Sequence, residues 1–360
     1  MTPAELIRPD IQALSAYHVP DARGLIKLDA MENPYAWPED LRDNWLAALR
    51  DMELNRYPDP HGHRLQERLR EAMGIPADMA LLLGNGSDEL ILMLALAVAE
   101  PGRKMLSLDP GFVMYRMIAL FAGLDYVGVP LKHDDFTLDL DATLAAIERT
   151  QPALTFIAYP NNPTGNLFDA AAIEQVIAAS RGLVIVDEAY APFTDNSFLP
   201  RLGDWPNLMV LRTVSKMGLA GLRLGYLVGA PAWIGELDKV RLPYNINVLT
   251  QASTDFALRH RTVLDEQTAA IRAERTRLFV TLAGLDGLRP YPSDANFILV
   301  RTRPGRAEDI FQGLLDHGVL IKKLDGTHPL LTDCLRMTVG TPAENTALLE
   351  ALQTVLKATG

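Results

Sequence analysis

The chain of 360 residues has a single cysteine, Cys334. That excludes an internal disulfide and a metal cluster built from cysteines. Long apolar runs are also missing. The longest, Leu90 to Ala99, is too short to cross a bilayer. The first residues, Met-Thr-Pro-Ala-Glu-Leu, lack a basic stretch leading into an apolar one, so they do not read as a secretion signal. Basic residues are in deficit, with 34 Lys and Arg against 45 Asp and Glu and a net charge of −11. Nucleic acid, which demands a basic face, is therefore not the expected partner. An anionic small molecule is still allowed, because a few arginines and lysines can dominate one pocket. Internal repeats and low-complexity tracts are absent too. The expectation is a cytoplasmic protein with no membrane or nucleic-acid partner and no metal. The pair His61-x-His63 lacks a third ligand nearby in sequence and reads as an ordinary turn.

What is present is apolar content. At 48% hydrophobic residues the chain can build one large core and a smaller second one. Residues 1–40 are rich in proline and read as an extended arm. From about residue 80, short apolar strands alternate with helical runs. Strands are expected at Met105–Leu108, Tyr126–Val129, Leu154–Ala158, Leu183–Val186, Leu208–Leu211 and Leu224–Val228. Helices are expected at Asp88–Glu100, Leu140–Arg149 and Ala170–Ser180. This alternation points to an α/β fold with a mostly parallel sheet covered on both faces. After about residue 245 the pattern changes. One long helical stretch, Val248–Leu282, precedes strands near 296–300, 319–322 and 335–339 and a helix near 307–317. Thr341-Pro-Ala-Glu344 is a capping box that opens the last helix. The tail reads as a smaller α+β domain, giving the division 1–40, 41–245 and 246–360.

Chemistry concentrates in a few segments. In Arg212-Thr-Val-Ser-Lys-Met-Gly-Leu-Ala-Gly-Leu-Arg223, Lys216 follows a hydroxyl pair, Thr213 and Ser215, and precedes Arg223. Pyridoxal phosphate needs such a set: an amine to condense with its aldehyde, and hydroxyls and a guanidinium to hold its phosphate. Gly84-Asn-Gly-Ser-Asp-Glu89 runs into an apolar helix, where the free amides of Ser87 and Asp88 offer an anion site. Read blandly, Ser87 or Asp88 is only a helix cap. Tyr159-Pro-Asn-Asn-Pro-Thr-Gly165 follows an apolar strand, at the end where α/β proteins bind ligands. In Leu183-Val-Ile-Val-Asp-Glu-Ala-Tyr190 a carboxylate ends a buried strand. Such a group requires a partner, and a cationic pyridine nitrogen is a suitable one for Asp187. Arg336 lies in the apolar strand of Cys334-Leu-Arg-Met-Thr-Val-Gly340 and calls for an anion, although an edge-strand arginine reaching solvent fits the spacing as well.

Taken in order, these segments resemble the fold-type I pyridoxal phosphate enzymes of the aspartate aminotransferase superfamily. The likeness covers nearly the whole chain. Within that superfamily, Leu28-Asp-Ala-Met-Glu-Asn-Pro-Tyr35, Asn55-Arg-Tyr-Pro58 and Pro329–Gly340 are similar to the signatures of the histidinol-phosphate aminotransferases. The resemblance implies the following roles. Lys216 carries the cofactor and moves the proton at the substrate α-carbon. Asp187 holds the pyridine nitrogen, Asn162 and Tyr190 the ring oxygen, and Phe112 stacks on the ring. Ser87, Asp88, Thr213, Ser215 and Arg223 hold the phosphate. Tyr57 reaches the site of a second subunit, so a homodimer is expected. Arg336 binds the carboxylate of L-glutamate in one half-reaction and the phosphate of imidazole-acetol phosphate in the other. Tyr17 and Asn33 lie where the arm closes over the substrate. The family often has an arginine in the strand before Arg336. Here Lys322 and Lys323 stand in that strand, point charges in place of a fork. The loop from Lys216 to Arg223 is one residue shorter than in some relatives. The implied reaction is amino transfer in histidine biosynthesis. An aromatic or broad-specificity aminotransferase and a threonine-phosphate decarboxylase share the same scaffold as alternatives.

Overall fold

A computed structural model describes residues 2–16 and 19–359. Its strands, in chain order, are β1 (Ile26–Leu28), β2 (Ala80–Gly84), β3 (Lys104–Asp109), β4 (Asp125–Pro130), β5 (Leu154–Ala158), β6 (Leu183–Asp187), β7 (Leu208–Thr213), β8 (Gly225–Gly229), β9 (Leu288–Pro290), β10 (Phe297–Thr302), β11 (Val319–Lys323) and β12 (Cys334–Thr338). Seven of them form one sheet in the order β2-β8-β7-β6-β5-β3-β4. The pairs β3–β4, β3–β5, β5–β6 and β6–β7 are parallel. Only β8 runs against its two neighbours. Every residue of β5, β6 and β8 is buried. Neighbouring residues feed opposite layers: Val184 and Val186 pack into one core, and Ile185 with Met209 and Leu211 into the other. Two-sided cover is what a mostly parallel sheet requires.

The second sheet has the order β1-β11-β12-β10-β9. Ile298, Val300, Leu335 and Met337 pack on Ile271, Leu278, Leu282, Leu348 and Leu352 in a core of their own. The capping box is formed. Glu344 accepts from the Thr341 amide at 2.7 Å, and the Thr341 hydroxyl accepts from the Glu344 amide at 3.3 Å. It starts the helix Pro342–Thr359.

Two expectations need correction. The stretch from Val248 is two helices, Val248–Arg259 and Arg261–Ala283. His260 leaves helical geometry at φ −108°, ψ 29°. The first helix packs on the helices Glu39–Leu49 and His63–Met73, and the second supplies Ile271 and Leu278 to the small sheet, so the chain must bend between the two cores. The arm is not simply extended either. It contains the short helices Pro3–Leu6 and Pro9–Gln12, each with proline at the first helical turn, where its missing N–H is not needed. Farther on, β1 adds to the small sheet in parallel with β11.

Candidate active site

One edge of the large sheet collects the chemistry-bearing loops. The carboxyl ends of β2, β3, β5, β6 and β7 lead into residues 85–88, 110–112, 159–162, 188–190 and 214–216. Because β8 is antiparallel, Thr213 sits opposite Gly225, and the loop that carries Lys216 brings Arg223 back to this same edge. Gly225 lets the backbones meet: a Cβ there would lie 2.7 Å from the Ser87 nitrogen. A cavity of ≈ 360 Å³ opens at the edge. Ser87, Asp88, Phe112, Asn162, Asp187, Tyr190, Thr213, Ser215, Lys216 and Arg223, all the residues expected to contact a cofactor except Tyr57, line it together with Met31, Glu32 and Tyr115.

At one end, the helix Ser87–Val98 points its first turn into the cavity. Its cap is Gly86, not Ser87 or Asp88, and no side chain caps it, so the first amides keep their donors. Gly86 holds φ 85°, and a Cβ there would stand 2.6 Å from Arg223 Nη2. Arg223 also lies 3.4 Å from Asp88 Oδ2. The Thr213 and Ser215 hydroxyls are 2.9 Å apart, and the Ser215 amide donates to Thr213 Oγ1 at 3.1 Å. Amides, hydroxyls and a guanidinium around a glycine cradle suit a phosphate.

In the middle stands Asp187, 4% exposed. Its Oδ2 accepts from the Tyr115 hydroxyl at 2.7 Å and its Oδ1 from the Ala189 amide at 3.0 Å. Burial outweighs these donors and pushes the carboxyl up to about 6. A buried carboxylate of this kind, with no cation bonded to it among the described residues, is suited to a protonated ring nitrogen. Asn162 donates to the Tyr190 oxygen at 3.1 Å, and the Tyr190 hydroxyl meets Met31 Sδ at 3.1 Å. Burial drives the Tyr190 phenol well above its ordinary range.

Lys216 sits on a π-type turn, Ser215–Leu219, that Gly218 allows with φ 125°. Its Nζ donates to Ala30 O at 3.4 Å. Burial lowers the ammonium to about 8, and the nearby Arg336 charge adds to this effect. A free amine is therefore within reach near neutral pH. Arg336, 7% exposed, donates to Asn162 Oδ1 at 2.6 Å and to Asp29 O at 3.0 Å.

Four expected residues lie elsewhere. Asn33 does not line this cavity. Its amide nitrogen bonds Met217 O and Gln267 Oε1, and its oxygen accepts from the Tyr35 amide, so it fastens the arm to the lysine turn. Lys323 ion-pairs with Glu308 and lies 5.7 Å from the Phe311 ring. Lys322 stands opposite Arg336 in the β11–β12 pair and so shares its face, which Lys323 does not. Tyr57 is 79% exposed and stacks on Tyr244 at 4.4 Å, outside the cavity of its own chain. Tyr17 lies outside the described residues.

Sequence reading missed Tyr115, Met31 and Glu32. The signal for Tyr115 was there: a hydroxyl inside the apolar helix Val113–Ala122 must find a partner. Met31 and Glu32 fall in a quoted signature, but only backbone geometry turns them toward the cavity, with Met31 at φ 54°.

A family model described as aminotransferase class I and II matches residues 23–352. The histidinol-phosphate aminotransferase 2 of Nitrosococcus oceani is 58% identical over 97% of this chain and 97% of its own. The chain belongs to this family, and within it to the histidinol-phosphate aminotransferases. The histidinol-phosphate aminotransferase of Chromobacterium violaceum is 55% identical over 98% of both chains. The crystal structure of the enzyme from Sinorhizobium meliloti, solved in complex with pyridoxal-5'-phosphate, superposes with a TM-score of 0.87 at 29% identity, over 99% of this chain and 98% of that one. The fold is the pyridoxal phosphate fold type I, and pyridoxal phosphate is the cofactor of the family. Among the described residues, no helix of this aminotransferase is long and apolar enough to cross a membrane.

Proposed function

We propose that this aminotransferase moves the amino group of L-glutamate to imidazole-acetol phosphate, giving 2-oxoglutarate and L-histidinol phosphate. The observation that carries the reading is the convergence of Lys216 and Asp187 on one cavity, with Arg336 bonded to Asn162 in its wall, in a chain 58% identical to a histidinol-phosphate aminotransferase. Bound in the cavity, pyridoxal phosphate supplies an electron sink for the negative charge that develops at the substrate α-carbon.

The protein's part is holding and proton transfer. The Ser87 and Asp88 amides, the Thr213 and Ser215 hydroxyls and Arg223 grip the phosphate. Asp187 keeps the ring nitrogen protonated, Asn162 and Tyr190 donate to the ring oxygen, and Phe112 covers one face. The Lys216 amine, its affinity for a proton reduced by burial, takes the proton from the substrate α-carbon and returns it on the other side of the transfer. Arg336 offers the planar fork that grips a carboxylate in one half-reaction and a phosphate in the other. Lys322 is our choice for a second phosphate contact, because it shares a face with Arg336 while Lys323 is committed to Glu308.

The assembly belongs to the same proposal. Tyr57, Leu54 and Leu242 are at least 70% exposed apolar side chains, and a second copy of the chain would cover them. Residues 1–40 would act as an arm, 41–245 as the cofactor-binding domain and 246–360 as the small domain, in a cytoplasmic homodimer. The deciding experiment is a single-turnover spectrum of the pyridoxamine form, comparing imidazole-acetol phosphate with phenylpyruvate. Rapid recovery of the visible cofactor band with the phosphate substrate alone supports the reading. Equal rates would make it a broad aminotransferase, and no response to either would favour the decarboxylase.

A further inference from the structure

Glu188 and Arg212 stand directly behind the active-site wall, and none of the roles above uses them. Glu188 is 1% exposed although it carries a charge. Its Oε2 accepts from Arg212 Nε at 2.9 Å and Nη2 at 2.7 Å, and from the Ser197 hydroxyl at 2.9 Å. Its Oε1 accepts from the Phe198 amide at 2.5 Å. Each partner is one residue from the chemistry. Glu188 follows Asp187, and Arg212 precedes Thr213, on adjacent parallel strands whose backbones join through the Glu188 amide and Leu211 O at 2.8 Å. By strand alternation the pair lies on the sheet face opposite the Asp187 carboxylate.

The pair closes two segments at once. Residues 189–197 leave β6 at Glu188 and come back to the same carboxylate at Ser197 and Phe198, and this loop carries Ala189 and Tyr190. On the other strand, the guanidinium anchors the start of the turn that holds Ser215 and Lys216. A cavity of ≈ 390 Å³ borders Glu188, Ser197, Arg212 and Met217 on this side. Tyr190 and Phe193 pack into one core and Val214 and Met217 into the other, so on the cavity side the charge network is what bridges the two segments.

We propose that the Glu188–Arg212 pair is a positioning device that ties the loop bearing Tyr190 to the turn bearing Lys216 and fixes the spacing of hydroxyl and amine. The inference rests on the amino-transfer reading. It treats both as positioning residues that touch neither substrate nor cofactor. An ion pair kept for stability alone has an apolar substitute, since exchanging both buried partners for hydrophobic residues of similar volume is often neutral for folding.

The test is the holoenzyme of the double variant E188M/R212M. Three quantities are read: the thermal midpoint, the rate of the L-glutamate half-reaction, and the pH midpoint of the cofactor's visible absorbance. We expect the thermal midpoint to fall modestly, because the Phe198 amide and the Ser197 hydroxyl lose their acceptor, and the half-reaction, read well below that midpoint, to slow by about tenfold to a hundredfold, the scale of a displacement near 1 Å. The absorbance midpoint should rise, because a loosened Tyr190 hydroxyl donates less well to the ionised ring oxygen. Wild-type rate and midpoint would overturn the inference. So would a slowing that merely follows a lowered thermal midpoint with the absorbance unmoved. If the double variant does not fold, R212K decides on the same readouts, since it keeps the charge and loses the second donor. Slowing with a raised midpoint supports the device, and wild-type values overturn it. A wild-type enzyme that gives no glutamate half-reaction refutes the amino-transfer reading instead, so the two failures are separable.

Discussion

Replacing Asp187 with asparagine removes a titration and leaves the shape almost unchanged. In the cofactor-free enzyme, burial raises this carboxyl from 3.8 to about 6. Between those values the unfolded chain releases the proton while the folded chain keeps it. Stability contributed by the held proton is complete below about pH 4 and is lost as pH climbs to about 6. The interval of about 2.2 pH units, at about 1.4 kcal/mol each, makes the ionised buried carboxylate cost about 3 kcal/mol at neutral pH. Asp187→Asn carries no ionisable group there and escapes this cost. Urea melts of the cofactor-free proteins, followed by tryptophan fluorescence from pH 4 to pH 7, should show wild type losing about 3 kcal/mol relative to the variant as pH rises. Saturation with cofactor should abolish that loss, because a cationic ring nitrogen then faces the carboxylate. A difference between the two proteins that is flat with pH would refute the reasoning, since it would mean that water or an unrecognised cation already solvates Asp187.

Lys216→Ala should eliminate both the visible cofactor band and turnover, and retained turnover would sink the central assignment. In the wild type without cofactor, amine-selective labelling of Lys216 should reach half its maximum near pH 8, where burial sets the ammonium, and a midpoint above 10 would contradict that environment. Arg336→Ala should raise KM for L-glutamate and for the phosphate substrate alike, by roughly 10- to 100-fold for a lost charge-assisted contact. Damage confined to one half-reaction in steady-state kinetics would refute its dual role. Gly86→Ala should weaken cofactor binding by about 1–3 kcal/mol, because alanine is strained at φ 85° and its Cβ crowds Arg223. Equilibrium dialysis would reveal an unchanged Kd if the cradle argument is wrong.

The parts of this aminotransferase that were legible in sequence are those where one strand or one loop carries the signal. An apolar run ending in Asp187, or a lysine three residues after the β7 end, marks a position at a sheet edge before any pairing is known, and both positions face one cavity. Features that depend on pairing were not legible. That β8 runs antiparallel, and so returns Arg223 beside Thr213, follows from the register with β7, which no single strand encodes. The choice between Lys322 and Lys323 is of the same kind. Adjacent residues of a strand point to opposite faces, so the β11–β12 register alone puts Lys322 on the face of Arg336, while Lys323 pairs with Glu308. Asn33 shows a further limit. Its residue type suits a substrate contact, but its neighbours turn it onto Met217 and Gln267, where it holds the lysine turn to the arm. Residue type proposes a chemistry, and only the partners on adjacent elements decide whether that side chain is spent on a ligand or on the fold.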